Sequence, residues 1–181
     1  MRVLLAVMVS MAVAPGAVAQ YYRGATLAPD QATLVLHTER GDVDAPRTEV
    51  DQQGFDAPHV SADGRSAGWL VLEANCCTSY PLPTSVVVFR EGKFVRRFGE
   101  GMAIWAWAFA AHGQAVAYRQ RAPHGISTIA YTLRNIADGR LLDEFDCFPK
   151  EGTPEGQPVP YGYAGKVPDW VWPIAEECPA R

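Results

Sequence analysis

The chain alternates short apolar runs with turn-forming dipeptides, and the runs have the length of strands rather than helices. "SAGWLVLE" (Ser66–Glu73), "SVVVF" (Ser85–Phe89) and "FVRRF" (Phe94–Phe98) form one series. "AVAYRQ" (Ala115–Gln120), "STIAYTL" (Ser127–Leu133) and "LLDEF" (Leu141–Phe145) form a second. Runs this short, rich in Val, Leu and aromatic residues and bounded by Gly-containing turns, are the pattern of β-strands. Asp63-Gly64 and His112-Gly113 stand before the two series in matching places, where Gly supplies the positive φ of a tight hairpin. "REGK" (Arg90–Lys93) and "IADGR" (Ile136–Arg140) match within them. From Gly64 to Gly113 is 49 positions and from Gly92 to Gly139 is 47, a period that marks repeated units of about four strands. The expected fold is all-β, made of antiparallel four-stranded sheets.

A partial unit precedes these two. "ATLVLH" (Ala32–His37), the turn "ERGD" and "RTEV" (Arg47–Val50) predict two further strands. The predicted organisation is one domain over residues 20–181, with a half unit at 32–50, full units at 56–98 and 103–145, and a tail at 146–181.

The repeated phrase carries a resemblance. Val60-Ser61-Ala62-Asp63-Gly64-Arg65 followed by Trp69 resembles the repeats of TolB-like β-propellers, periplasmic relatives of WD-type blades. Phe109-Ala110-Ala111-His112-Gly113 followed by Tyr118 resembles a degenerate copy, with His in place of Asp. The resemblance spans residues 55–146 and implies sheets packed like adjacent propeller blades. It also implies a structural role for the motif, shaping the turn between a blade's first two strands. A closed propeller needs about four blades or more, so two and a half leave it incomplete. Either the sheets stack into a compact monomer, the expectation preferred on the clear strand alternation, or associating subunits supply the missing blades.

The chain's start sets its expected compartment. Arg2, the apolar run Val3–Val13 and "AVA" at Ala17–Ala19 follow the plan of a secretory signal peptide at residues 1–19. The run is too short for a membrane span, which needs about 20 apolar residues, so the mature chain is expected to begin near Gln20 without a span. The destination is then periplasmic or extracellular. A net charge of −4, with no basic cluster larger than "VRRF" (Val95–Phe98), argues against a nucleic-acid partner.

Four cysteines in an exported chain suggest disulfides. Cys147, at the end of the second full unit, paired with Cys178 would staple the tail. That leaves Cys76 and Cys77 to close a vicinal bridge, to reach one each to the other two cysteines, or to serve soft-metal or redox chemistry. Metal sites usually separate their cysteines by two residues or more, so no metal and no cofactor is expected.

No catalytic residue stands out. His37, His59, His112 and His124 show no metal spacing, and His112 reads as a turn residue. No Gly-x-Ser-x-Gly stretch occurs. "RGD" (Arg40–Asp42) is too short to argue adhesion, and Gly41 has a plain role in a turn. In "IWAWA", period-two alternation predicts Trp105 and Trp107 on one strand face and Ile104, Ala106 and Ala108 on the other. The five tryptophans, at 69, 105, 107, 170 and 172, are compatible with one cluster beneath the tail. The reading that follows is an exported, non-catalytic binding or scaffold module for a protein or small-molecule ligand. Its candidate ligand-loop residues are Tyr80, His124, Trp105 and Trp107. The alternative is a thiol-dependent or hydrolytic enzyme using the Cys76–Cys77 loop.

Overall fold

A computed structural model describes residues 20–75, 78–99, 101–150, 160–176 and 178–179. The fold is all-β. Three antiparallel sheets, of three, four and five strands, pack in layers, and none closes into a barrel. The first has the order β1 (Tyr22–Leu27), β2 (Leu34–Thr38), β3 (Gly41–Asp44). The second is a meander of β4 (Gln52–Val60), β5 (Ser66–Glu73), β6 (Leu82–Arg90) and β7 (Lys93–Phe98). The third runs β8 (Ala103–Ala110), β9 (Ala115–Arg121), β10 (Ile129–Asn135), β11 (Leu141–Pro149) and β12 (Tyr161–Gly162). The predicted signal peptide lies outside the described residues.

Several boundaries move. The half unit gains a strand, β1, which the sequence reading left out. Its second hairpin arm is Gly41–Asp44, not Arg47–Val50. Arg47 instead spends its guanidinium on the backbone carbonyls of Gln52 and Ala32. The two full units open at Gln52 and Ala103, and the second extends through Pro149 to pair with β12.

The two central strands of the middle sheet, β5 and β6, are buried on both faces and read as nearly continuous apolar runs. Along β5, Ala67, Trp69 and Val71 face the first sheet with Phe55 and Val87, against Tyr22, Leu34 and Leu36. Leu70, with Val86 and Val88 of β6, faces the third sheet and meets Ile104, Trp107, Val116 and Tyr118. Gly68 makes room for that second layer. A Cβ there would lie 2.7 Å from the Val87 carbonyl oxygen and 2.8 Å from the Trp107 ring. A third layer covers the far face of the third sheet. There the tail lays Val167, Val171 and Ile174 over Ile129, Tyr131 and Phe145. The Cys147–Cys178 disulfide, with Cα atoms 6.2 Å apart, and Trp170 Nε1 donating to Asp143 (2.8 Å) fasten it. The tryptophans are therefore divided among the layers rather than gathered in one cluster.

The two copies of the repeated phrase lie against each other. Gly64 and Gly113 both have positive φ, +68° and +81°. A Cβ on Gly113 would sit 2.9 Å from Cβ of Ser61, in the first copy's turn. The turns differ in detail. The first closes from Gly64 N–H to Ser61 O (2.8 Å) and the second, one residue later, from Gln114 N–H to Ala111 O (3.1 Å). Ser61 Oγ also donates to Asp63 (2.6 Å), which holds the Asp63 carboxyl below the ordinary aspartate range. The second copy has Ala110 and His112 in those places.

Candidate functional site

Two β-bulges shape the open end of the seam between the second and third sheets. In β4 the register slips between Asp56 and His59, and Ala57 takes φ +41°. A non-glycine residue in that region is uncommon and needs its surroundings to hold it. The Asp56 carboxylate does so by accepting from Ala57 N–H (2.8 Å), and Trp107 Nε1 donates to Ala57 O (2.8 Å). In β8 the slip falls between Ile104 and Ala106, so Trp105 is the extra residue opposite β9. A bulge places two residues opposite one and re-aims a side chain.

This overturns the shared face predicted for the two indoles. Ile104 and Trp107 point together into the layer between sheets, while Ala106 and Ala108 face the tail. Trp105 belongs to neither row. It stands at the rim, 36 % exposed, with Nε1 donating to Arg121 O (3.1 Å).

Tyr80 reaches the same rim from the β5–β6 loop. Asn75 organises this loop by accepting from Thr78 N–H (2.9 Å) and donating to Tyr80 O (3.1 Å). Tyr80 and Trp105 both line a cavity of about 270 Å³, together with Leu70, Leu72, Leu82 and Ile104. Pro81, Pro83 and Asp56 also line it. Such a wall, mostly apolar with a few polar groups, is the usual make-up of a small-molecule site.

A second cavity of about 110 Å³ shares the Trp105 wall and is otherwise lined by Arg119, Arg121, Ile129 and Glu176. The Arg119 side chain is only 5 % exposed. Its Nη2 donates to Glu176 of the tail (2.5 Å), whereas its Nη1 is buried without a hydrogen-bond partner.

Of the predicted site residues, Tyr80 and Trp105 come together. Trp107 does not join them. It is buried in the core, with His59 edge-on to its ring at 4.8 Å. Burial there holds the His59 pKa below the ordinary histidine value. His124 lies on the exposed loop between β9 and β10 and lines neither cavity. Cys147 and Cys178 are bonded as predicted, while Cys76 and Cys77 lie outside the described residues. Among the described residues no group of three His, Cys, Asp or Glu side chains is placed to hold a metal ion.

One constellation escaped sequence reading. Thr26 Oγ1 contacts His37 Nε2 (2.7 Å) and His37 Nδ1 contacts Asp42 (2.8 Å), a hydroxyl–imidazole–carboxylate chain across β1, β2 and β3. The order of groups is that of a nucleophile triad. Its setting is not. The chain lies on the open outer face of the first sheet, Asp42 is 64 % exposed, and neither cavity touches it. It is cross-strand pairing on a solvated face, and it also ties down the aspartate of the "RGD" turn. No protein-family model matches the chain, and no curated protein matches it as a relative.

Proposed function

We propose that the chain is an exported, non-catalytic binding module that takes a small, largely apolar ligand in the cavity lined by Tyr80 and Trp105. The observation that carries this reading is the bulge at Trp105. β8 is the edge strand of the third sheet, and there one extra residue turns the Trp105 ring out of both packed layers to the rim beside an apolar cavity. The rigid stacked sheets would hold the site, and the loop between β5 and β6 would adapt it. Kinship with TolB-like repeats belongs to the same proposal. It is supported by the stacking of the two duplicated turns, Gly113 against Ser61.

The neutral probe 3-phenylpropanol tests the cleft. Titrations followed by NMR should shift the Trp105 indole signal. Tyr80→Ala and Trp105→Ala should each weaken binding about tenfold, since an aromatic contact contributes about 0.5–1.5 kcal/mol beyond the area it buries. Their melting temperatures should stay near the parent's because both rings are exposed. Unaltered affinity in both variants would exclude the cleft.

Export makes a separate expected result, supported by the signal-like residues 1–19 and by a disulfide, which persists in oxidising compartments. Mass spectrometry of the protein from its native host should find an N-terminus at or near Gln20. An abundant form retaining Met1 would rule export through this segment out.

A further inference from the structure

We infer that the cavity lined by Tyr80 and Trp105 selects an organic cation, an amine on an apolar body, with the Asp56 carboxylate meeting the ammonium group. The inference rests on the cleft reading above and adds the charge of the ligand. Asp56 is the one charged residue among those described around this cavity. The stretches of chain that build its walls, residues 28–33, 52–57, 70–84 and 102–105, contain no Lys or Arg, whereas they hold Asp30, Asp56 and Glu73. Glu73 is already committed to Arg97 (2.6 Å), which Glu49 also holds, and Asp30 accepts from Ala32 N–H (3.0 Å). Arg119 and Arg121 do not reverse this balance. Tyr118 faces the layer between the second and third sheets and Ala117 faces the tail, so alternation along β9 puts both arginines on the tail's side.

Donors that would serve an anion are scarce in the wall. Pro81 and Pro83 have no N–H, Trp105 Nε1 is spent on Arg121 O, and Ala57 N–H is spent on Asp56 itself. Asp56 keeps capacity to accept. A carboxylate offers about four lone-pair sites, and Ala57 N–H is the one donor that reaches it among the described residues. Asp56 is half-buried, where a charge pair is screened less than in open water. The two aromatic residues favour the same ligand, since Trp is the best ring partner of a cation and Tyr also serves.

The test titrates 3-phenylpropylamine, 3-phenylpropanol and 3-phenylpropionate into the full mature chain at neutral pH and constant ionic strength. The probes share one apolar body and differ in charge. The amine should bind about tenfold more tightly than the alcohol, the scale of a charge-assisted hydrogen bond, and the acid more weakly than either. Asp56→Asn keeps an oxygen for Ala57 N–H, so the bulge stands while the charge is gone. In that variant the amine should fall to the affinity of the alcohol. Equal binding of amine and alcohol by the parent chain would overturn the inference while leaving the cleft in place. Acid binding as tight as the amine's would overturn it too. So would an amine preference that survives Asp56→Asn in a variant that melts with the parent. The comparison among probes needs only the parent chain, so a variant that fails to fold leaves the inference open to refutation. Failure of all the probes to bind would remove the cleft and the inference together.

Discussion

Replacing both Cys147 and Cys178 by Ala should lower stability by about 3–4 kcal/mol, on the loop-entropy estimate for a bridge spanning 31 residues. For a chain of this size that is roughly a 7–15 °C drop in melting temperature. The loss should be local first. Among its described residues the tail contributes β12 and one 3₁₀ segment, Asp169–Ile174, which offer few backbone hydrogen bonds of their own. Among the described residues its attachments are the packing of Val167, Val171 and Ile174 on the third sheet, the bonds Trp170–Asp143, Arg119–Glu176 and Tyr161–Ser127, the short β11–β12 pairing, and the disulfide. Hydrogen exchange should therefore quicken at Ile129 and Tyr131, which the tail covers, before it quickens at Trp69 in the layer between the first two sheets. A double variant that melts with the parent would show that packing alone secures the tail.

Gly113→Val should cost about 2–6 kcal/mol, and Gly64→Val about the same. Each places a β-branched residue at positive φ, a strain of about 1–3 kcal/mol. Each also drives a Cβ into a neighbour, Ser61 Cβ at 2.9 Å for Gly113 and the Tyr22 carbonyl oxygen at 3.0 Å for Gly64. Overpacking of this kind adds roughly another 1–3 kcal/mol where the neighbour cannot move. His112→Asp should change stability by less than about 0.5 kcal/mol. His112 holds φ +54° and ψ +38°, a left-handed conformation that Asp tolerates comparatively well. Without a serine in the place of Ser61, however, the new carboxylate lacks the bond that fastens Asp63. Thermal melts of the three variants decide the matter. Glycine variants that melt with the parent would mean that the duplicated phrases are not equivalent turns.

What could be read from the chain was whatever is set by a residue and its near neighbours. Asp63-Gly64 and His112-Gly113 announced turns because positive φ is a local demand. The strands of the two full units announced themselves because a layer buried on both sides requires nearly unbroken apolar runs, as in Ser66–Glu73. The misreadings share a different cause. Gly41–Asp44 has the composition of a turn, and its strand exists because β2 offers it a ladder. "RTEV" has the composition of a strand, but Arg47 is committed to the carbonyls of Ala32 and Gln52. β1 hides behind Gly24, where its register slips against β2. The candidate site was half legible. Tyr80 and Trp105 were each conspicuous as aromatic residues near loops, yet their meeting depends on how two sheets stack. Arg119 gave no signal at all, for "AVAYRQ" reads as an ordinary strand until the tail brings Glu176 to it.

The bulge in β8 has an evolutionary consequence. Ile104 pairs with Gln120 and Ala106 with Arg119, which are adjacent on β9, so the ladder already runs as though codon 105 were absent. Excising that codon would leave Ile104 and Ala106 on the sides they occupy now, and no neighbouring residue would need to change places. The aromatic rim can thus be gained or erased by a single three-nucleotide insertion or deletion. Lineages of this fold are free to acquire the feature, discard it, or exchange its side chain, while the hydrophobic layers beneath evolve under their own constraints.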